Sequence, residues 1–475
     1  MIVIDRVIQK QILLLVLFFS MIEPVSGIGC NLLVPPKGTM VTPLVSVYCD
    51  KRIEMVRHHS CLTSYGCRRM LETAFQPLQL GPLTLPNRFI KAGANENMSK
   101  QGRPTRAMRM HHEALIKGGV GMTTMAYVAV EKDGRTLPDQ VWVHDEAMAD
   151  LRAVTGAVHQ AGGKIAAQIT HGGSFVTGVF IPRRLQSSVS GFNPAGLLRG
   201  NMFRRAMNER DMDRMVGLFV NAAERCFEAG FDAVEIHMGH GYLLNQFLSP
   251  LDNQRKDQYG GSAENRARFP ARVLRAVKDA VGDRMAVIAK INVADGRSKG
   301  AQLEDGIVTA KILEEAGADM LVLSGGRNVE SGWFTFGSNM NLDAMLRVIG
   351  KWSLSGMAIA STQASVPKID FKPLYFWEYS TKIREAVSIP LAYLGGVTSA
   401  DNVSQCMEAG FEAVQLARAL LREPDLVNRW REEGGESLCD NCNSCVAYIY
   451  HPAGTWCIHQ PANKLEDNQI LASQG

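Results

Sequence analysis

Two histidines three residues apart, with a tyrosine two further on, stand at the end of an apolar run as His237-Met-Gly-His240-Gly-Tyr242. Three chemistries suit such a histidine pair: metal ligation, general acid–base work, or paired donation to one substrate oxygen. A zinc site would want a third ligand, and no carboxylate or thiol is obviously placed to supply it. Tyr242 alters the balance, because a phenol of ordinary pKa about 10 keeps its proton at neutral pH and can give it up in a reaction. Two imidazole donors beside a phenolic acid suit a carbonyl that gains negative charge in its transition state.

Other chemistry-bearing residues also sit at the ends of apolar runs: Gln168 followed by His171, Lys290, Gly395-Gly396, and Ala417-Arg418. Paired glycines expose backbone N–H groups to an anion, and an arginine adds a fixed charge in fork geometry. Taken singly, these read as a glycine turn and a surface arginine. Together, behind the last two runs, they read as a phosphate site. Near the C-terminus Cys439-Asp-Asn-Cys442-Asn-Ser-Cys445 precedes eleven residues and then Cys457. Four thiols so spaced can converge on one soft metal centre.

The elements that carry these residues follow a rhythm of short apolar run, helical pattern, and apolar run again. Strands are expected at 88–92, 120–125, 164–169, 233–237, 286–291, 320–323, 390–394 and 413–417, several behind glycine turns. A helix is expected over 211–229, with Met212, Met215, Val216 and Phe219 on one face and Asn208 as its cap. Eight buried strands alternating with helices predict an α/β fold, a closed (β/α)8 TIM barrel whose active face lies at the strand C-termini. A doubly wound sheet is the structural alternative, but no Gly-x-Gly-x-x-Gly follows any strand. The stretch from 324 to 389 is long for one crossover and is expected to pass over the barrel mouth.

The chain of 475 residues is 46% hydrophobic and 21% charged, which excludes a collagen-like, coiled-coil or largely disordered protein. A net charge of +4 implies no broad surface for nucleic acid or anionic membrane. Residues 12–22 are apolar behind Arg6 and Lys10. Eleven residues rise only about 16 Å as a helix, too little to span a bilayer. The run fits a signal-peptide core, yet the rest reads as a cytoplasmic enzyme, so a misassigned leader is the preferred reading over export or organellar targeting. Three segments are expected: an N-terminal extension over 1–72, a barrel over 73–435, and a Cys-rich segment over 436–475. In the first, Cys49, Cys61, Cys67, His58 and His59 match no common zinc pattern.

The run His237-Met-Gly-His-Gly-Tyr-Leu-Leu-Asn-Gln-Phe-Leu-Ser-Pro-Leu-Asp-Asn-Gln-Arg-Lys-Asp-Gln-Tyr-Gly-Gly-Ser262 resembles the signature of the Old Yellow Enzyme family, FMN-dependent NAD(P)H:flavin oxidoreductases on a (β/α)8 barrel. The resemblance covers about 75–431 and includes Leu85-Pro-Asn-Arg88, Gln168-Ile-Thr-His171 and Ala417-Arg418. It implies that His237 and His240 bind the oxygen of an α,β-unsaturated carbonyl, that hydride reaches the β-carbon from flavin N5, and that Tyr242 protonates the α-carbon. It further implies that Gln168 and Lys290 meet the flavin pyrimidine edge, with Gly395, Gly396, Ala417 and Arg418 at its phosphate. NAD(P)H would alternate with substrate in one pocket, so no Rossmann motif is needed. Ala94-Asn95 stand where the family often has Met-Thr or Cys, with Asn95 still able to hydrogen-bond the flavin. Ser174 stands for a frequent Arg, and Ala417 for a usual Gly.

The cysteine spacing resembles the [4Fe–4S] motif of multidomain relatives, the dienoyl-CoA reductases and trimethylamine dehydrogenase; structural zinc and free thiols are the alternatives for Cys439, Cys442, Cys445 and Cys457. The function implied is an ene-reductase acting on a small enone or enoate, with no nucleic-acid partner, no stable membrane span, and a homo-oligomer left open. Flavin-dependent amine N-demethylation is the second reading, although a cationic amine gains nothing from oxyanion donors and would favour an aromatic cage. A phosphate-binding lyase or isomerase and a non-catalytic barrel are the others. The physiological substrate is not legible in the sequence.

Overall fold

The computed structural model of the chain describes residues 70–176, 185–193, 201–350, 368–451 and 453–460, with residues 357, 360 and 366. Eight parallel strands close into a barrel in chain order: β1 (Phe89–Lys91), β2 (Met122–Ala129), β3 (Lys164–Thr170), β4 (Ala233–Met238), β5 (Ala286–Asn292), β6 (Met320–Ser324), β7 (Leu391–Leu394) and β8 (Ala413–Leu416). Strand β8 pairs with β1, so no edge remains and the doubly wound alternative is excluded. Every expected strand is found. The largest difference is β2, which runs on to Ala129 after a register shift between Met125 and Val128.

Alternation along the strands gives two cores. Inward-facing Ile90, Met122, Ala166, Ala233, Ala286 and Met320 fill the lower barrel, against a hairpin of Leu78–Leu80 and Leu83–Leu85 that plugs its N-terminal mouth. The hairpin turns at Gly81, whose φ of 53° is open to glycine at little cost. Outward-facing residues pack under the helices. Helix α1 (Arg106–Lys117) follows β1, and α2 (Glu209–Glu228) follows β3. In α2, Met212, Met215 and Phe219 are buried as their 3–4 spacing predicts. It starts two residues before the expected 211 because Asn208 and Asp211 form a reciprocal capping box that satisfies two first-turn N–H groups.

The long stretch after β6 does cover the mouth. It carries α3 (Leu342–Ile349) and α4 (Trp377–Ala386), and Phe336, Met340 and Tyr375 from it face the cavity below. Past β8 the chain returns over the same opening. Ala447 packs on Ala344 and Met345 of α3, Thr455 Oγ1 donates to Asn95 O at 2.8 Å, and Asn97 Nδ2 donates to His451 O at 3.0 Å. The Cys-rich segment is therefore packed onto the barrel face. The reading of residues 1–72 as a leader falls on residues 1–69 outside those described. Among the described residues no helix is long and apolar enough to cross a membrane.

Candidate active site

The site is built up from a buried carboxylate on the barrel floor. Glu235 on β4 is fully buried, and the parallel register sets it beside Gln168 on β3. Its Oε1 accepts from Gln168 Nε2 and pairs with Lys290 Nζ at 2.9 Å; its Oε2 accepts from Gln415 Nε2 at 2.9 Å. A buried charge persists only when so paired and hydrogen-bonded. The arrangement fixes which atoms are left over. Among the described residues, Gln168 Oε1 and Gln415 Oε1 are buried without a hydrogen-bond partner, and the Lys290 ammonium has its ion pair but no aligned hydrogen bond. Gly93 permits this packing, since a Cβ there would lie 2.4 Å from Gln168 Nε2.

Above the floor is a cavity of about 660 Å³, lined by Lys290, Gln415, Tyr242, His240, Gly396 and Arg418 among others. Two orphan amide acceptors and a cation match the pyrimidine edge of a flavin, which offers one N–H donor between carbonyl acceptors. Gln168 and Lys290 are thus brought together as expected. Gln415, Glu235 and the buried pair Lys91–Glu96 were missed by sequence reasoning. For Gln415, Glu235 and Lys91 the signal is a lone polar residue within an apolar strand run; Glu96, in the loop after β1, has none.

The residues expected at a phosphate are placed as follows. Gly396, at φ 79°, Ala417 and Arg418 line the cavity, and Asn95 lies on its rim. Gly395 does not line it: it packs against Phe376, whose Cδ2 would be 2.7 Å from an added Cβ. Arg418 is no surface residue. Its guanidinium donates to Phe336 O at 3.0 Å and to Asn443 Oδ1, and it lies 5.4 Å from the Phe371 ring centre.

At the other end of the cavity the rings of His237 and His240 meet edge-to-face at 4.9 Å, and those of His237 and Tyr242 at 4.8 Å. His240 sits at φ 59°, an uncommon conformation for a residue with a side chain. It is held there by Asn292 Oδ1, which accepts its N–H at 3.2 Å, and by Asn328 N–H on its carbonyl at 3.3 Å. Gly239 N–H donates to His237 Nδ1 at 3.3 Å, so the His237 proton is on Nε2. His240 Nε2 lies 2.7 Å from Ser324 Oγ, and His240 Nδ1 lies 3.3 Å from His237 Nε2. His237 Nε2–H therefore donates to His240 Nδ1, and His240 Nε2–H donates on to Ser324 Oγ. His237 is itself behind the cavity wall, with only His240 and Tyr242 on the surface. His171 stands elsewhere: its Nε2 contacts Glu131 Oε1 at 3.0 Å and its Nδ1 accepts Gly173 N–H, which fixes the loop after β3.

Burial keeps both site histidines neutral. His240 is pushed down to about 3 and His237 well below its ordinary range, with the nearby Lys290 charge adding to each. His111 on α1, also at the cavity, is lowered to about 3 by burial and Lys91. The sign for stability follows. In the unfolded chain these groups take up protons as pH falls through about 6.5, whereas the folded protein resists until about 3. Stability is therefore complete above about 6.5 and drains away as pH drops toward 3. Urea midpoints should fall on acidification from pH 7 to 4; a midpoint that rises would contradict this assignment.

Two of the four C-terminal thiols, Cys439 and Cys445, reach the cavity wall. Burial raises the pKa of both and of Cys457, that of Cys445 to about 12, and each feels the charge of others in the set. Among the described residues, one trio of ligand atoms lies within 4.8 Å: Asp440, Cys442 and His459.

The family of NADH:flavin oxidoreductases / NADH oxidases matches residues 73–332. This chain belongs to it. Residues 365–450 also match the dihydrouridine synthase description, over the last two barrel strands and part of the Cys-rich segment. The enzyme is an NAD(P)H:flavin oxidoreductase, with FMN as its cofactor. It is 36% identical over 393 residues to the 4,4'-dithiodibutanoate disulfide reductase of Rhodococcus erythropolis, covering 82% of this chain and 95% of that one. It is 29% identical over 381 residues to the NADPH dehydrogenase of a Geobacillus strain, covering 79% and 97%. In fold it is similar to a 2-naphthoyl-CoA reductase in complex with 2-naphthoyl-CoA, at TM-score 0.69 and 19% identity, over 84% of this chain and 58% of that chain.

Proposed function

We propose that this oxidoreductase reduces the C=C bond of an α,β-unsaturated ketone or ester. The observation that carries the reading is the convergence of His237 Nε2 and His240 Nδ1, 3.3 Å apart, beside the Tyr242 ring. A carbonyl oxygen entering beside them would take the His237 Nε2–H in place of His240 Nδ1, and His240 would become a second donor in the tautomer to which Ser324 Oγ donates. The two donors stabilise the charge that develops on that oxygen as the β-carbon accepts hydride, and one such donor is worth about 10²–10³ in rate. FMN, when bound, supplies the redox chemistry by taking hydride from NAD(P)H and passing it to that carbon.

The residues that would hold FMN are Gln168, Gln415 and Lys290 at the ring, and Gly396, Ala417 and Arg418 toward the phosphate. Lys290 places a positive charge where the reduced ring carries its negative charge, and Asn95 offers an amide at the rim. Gly239 sets the His237 tautomer, and the Ser324 hydroxyl can accept from or donate to His240 Nε2. Tyr242 holds its proton until the α-carbon becomes basic, then delivers it. The aromatic and aliphatic walls of Phe336, Met340 and Tyr375 limit access of water.

For the thiols the reading is a [4Fe–4S] cluster on Cys439, Cys442, Cys445 and Cys457. Tetrahedral zinc with bonds of about 2.3 Å would need sulfurs about 3.8 Å apart. No trio of these thiols is packed so closely among the described residues, and the support for the cluster is the Cys-x2-Cys-x2-Cys-x11-Cys spacing.

The test is which oxidant restores the flavin colour. Enzyme reduced anaerobically with NAD(P)H is mixed with cyclohex-2-enone, with a linear disulfide such as 4,4'-dithiodibutanoate, or with buffer, and iron and sulfide are assayed on the same sample. The expected result is rapid return of the yellow colour with the enone and formation of the saturated ketone. Re-oxidation by the disulfide alone would overturn the ene-reductase reading in favour of a chemistry like that named for the Rhodococcus relative.

A further inference from the structure

We infer that Tyr127 is a positioning residue for the proton donor, holding Tyr242 through a phenol–phenol hydrogen bond and stabilising the charge left when Tyr242 gives up its proton. This rests on the reading of Tyr242 as the acid. Tyr127 is on β2 and lines the same cavity. Its ring meets that of Tyr242 edge-to-face at 5.4 Å and lies 5.7 Å from His237. The two phenols are near enough to hydrogen-bond each other. Nothing in the mechanism above uses this phenol.

The surroundings settle which phenol donates. Tyr127 is faced by Tyr242 and His237 from β4 and the turn after it, by Glu96 from the loop after β1, and by Tyr450 from the C-terminal segment. Glu96 lies close because its Oε2 accepts the Ala126 N–H at 3.1 Å, and Lys91 pairs with its other oxygen. Burial, the neighbouring Tyr242 and Glu96 all oppose a charge on Tyr127 and push its phenol well above the ordinary range. Tyr127 therefore keeps its proton when Tyr242 gives its own up, and its O–H is then the one left to donate to the Tyr242 oxygen. As the α-carbon takes the Tyr242 proton with the electron pair of the enolate, the new C–H bond leaves a phenolate. Tyr127 donates to that phenolate until water in the cavity restores the proton. A hydrogen bond to a charged group is worth about 10- to 100-fold in an equilibrium or rate.

The experiment compares wild type, Tyr127→Phe and Tyr242→Phe. In stopped-flow, flavin reduction by NAD(P)H should be alike in wild type and Tyr127→Phe. Re-oxidation by cyclohex-2-enone should fall about 10- to 100-fold in Tyr127→Phe, with its alkaline limb moved up by about one to two pH units. An unchanged rate and limb, or a slower rate with an unmoved limb, would overturn the inference and leave Tyr127 a wall residue. A second readout needs no alkene: the ultraviolet tyrosinate titration of the resting enzyme. The signal absent from Tyr242→Phe should titrate at higher pH in Tyr127→Phe than in wild type. If wild type ignores the enone, the functional reading fails, and this titration alone still decides the role of Tyr127.

Discussion

Tyr242→Phe should bind FMN and be reduced by NAD(P)H as the parent enzyme is, yet pass hydride to an alkene about 10²–10⁴-fold more slowly, the usual yield of a positioned acid. The substitution removes one oxygen from a side chain that is 3% exposed and leaves the ring packed between Phe175, Tyr127 and His237. Folding should therefore be nearly unaffected, and the loss should fall on one half-reaction. Separate measurement of flavin reduction and flavin re-oxidation checks this. Equal slowing of both halves would mean that the phenol shapes the cavity instead of supplying a proton.

Glu235→Gln is the second large effect. Both Lys290 and Glu235 are about 1% exposed on the side chain, and the amide would leave the ammonium without a counter-charge. Breaking one side of a buried pair costs about 3–5 kcal/mol. The same change leaves one acceptor oxygen where two hold Gln168 and Gln415, so at least one of these amides loses its fixed orientation beside the cavity. Urea denaturation should report the lower stability, and gel filtration should yield a protein depleted in FMN. Adding Lys290→Met should recover much of the stability, because no unpaired charge then remains, without restoring flavin retention. A single mutant as stable and as yellow as the parent would contradict the proposed floor.

Much of the fold was legible because each strand announces itself as a short apolar run between glycine turns. The ladder pairings then follow from right-handed β–α–β succession, with no alternative left once the eighth strand meets the first. The end of β2 was not legible: the shift at Met125 and Val128 lets Tyr127 turn to the cavity, and no local pattern marks such a shift. At the site, His237, His240 and Tyr242 are neighbours in sequence and were found together. The polar floor was only half visible. Gln168 and Lys290 stand near strand ends, but their partner Glu235 is 67 residues from Gln168 and 180 from Gln415, and only barrel closure makes them neighbours. Gly395 and Gly396 were read together as a pair exposing N–H groups, whereas the structure packs Gly395 against Phe376 and only Gly396 lines the cavity.

The sharpest test of the whole account follows hydrogen atoms into the product. Cyclohex-2-enone is reduced once with nicotinamide carrying deuterium on the transferred face in ordinary water, and once with unlabelled nicotinamide in deuterium oxide. The expected product of the first reaction carries deuterium at the β-carbon alone, and that of the second at the α-carbon alone. Deuterium from the nicotinamide at the α-carbon, or solvent deuterium at the β-carbon, would contradict a site in which the flavin supplies hydride to one carbon and Tyr242 the proton to the other.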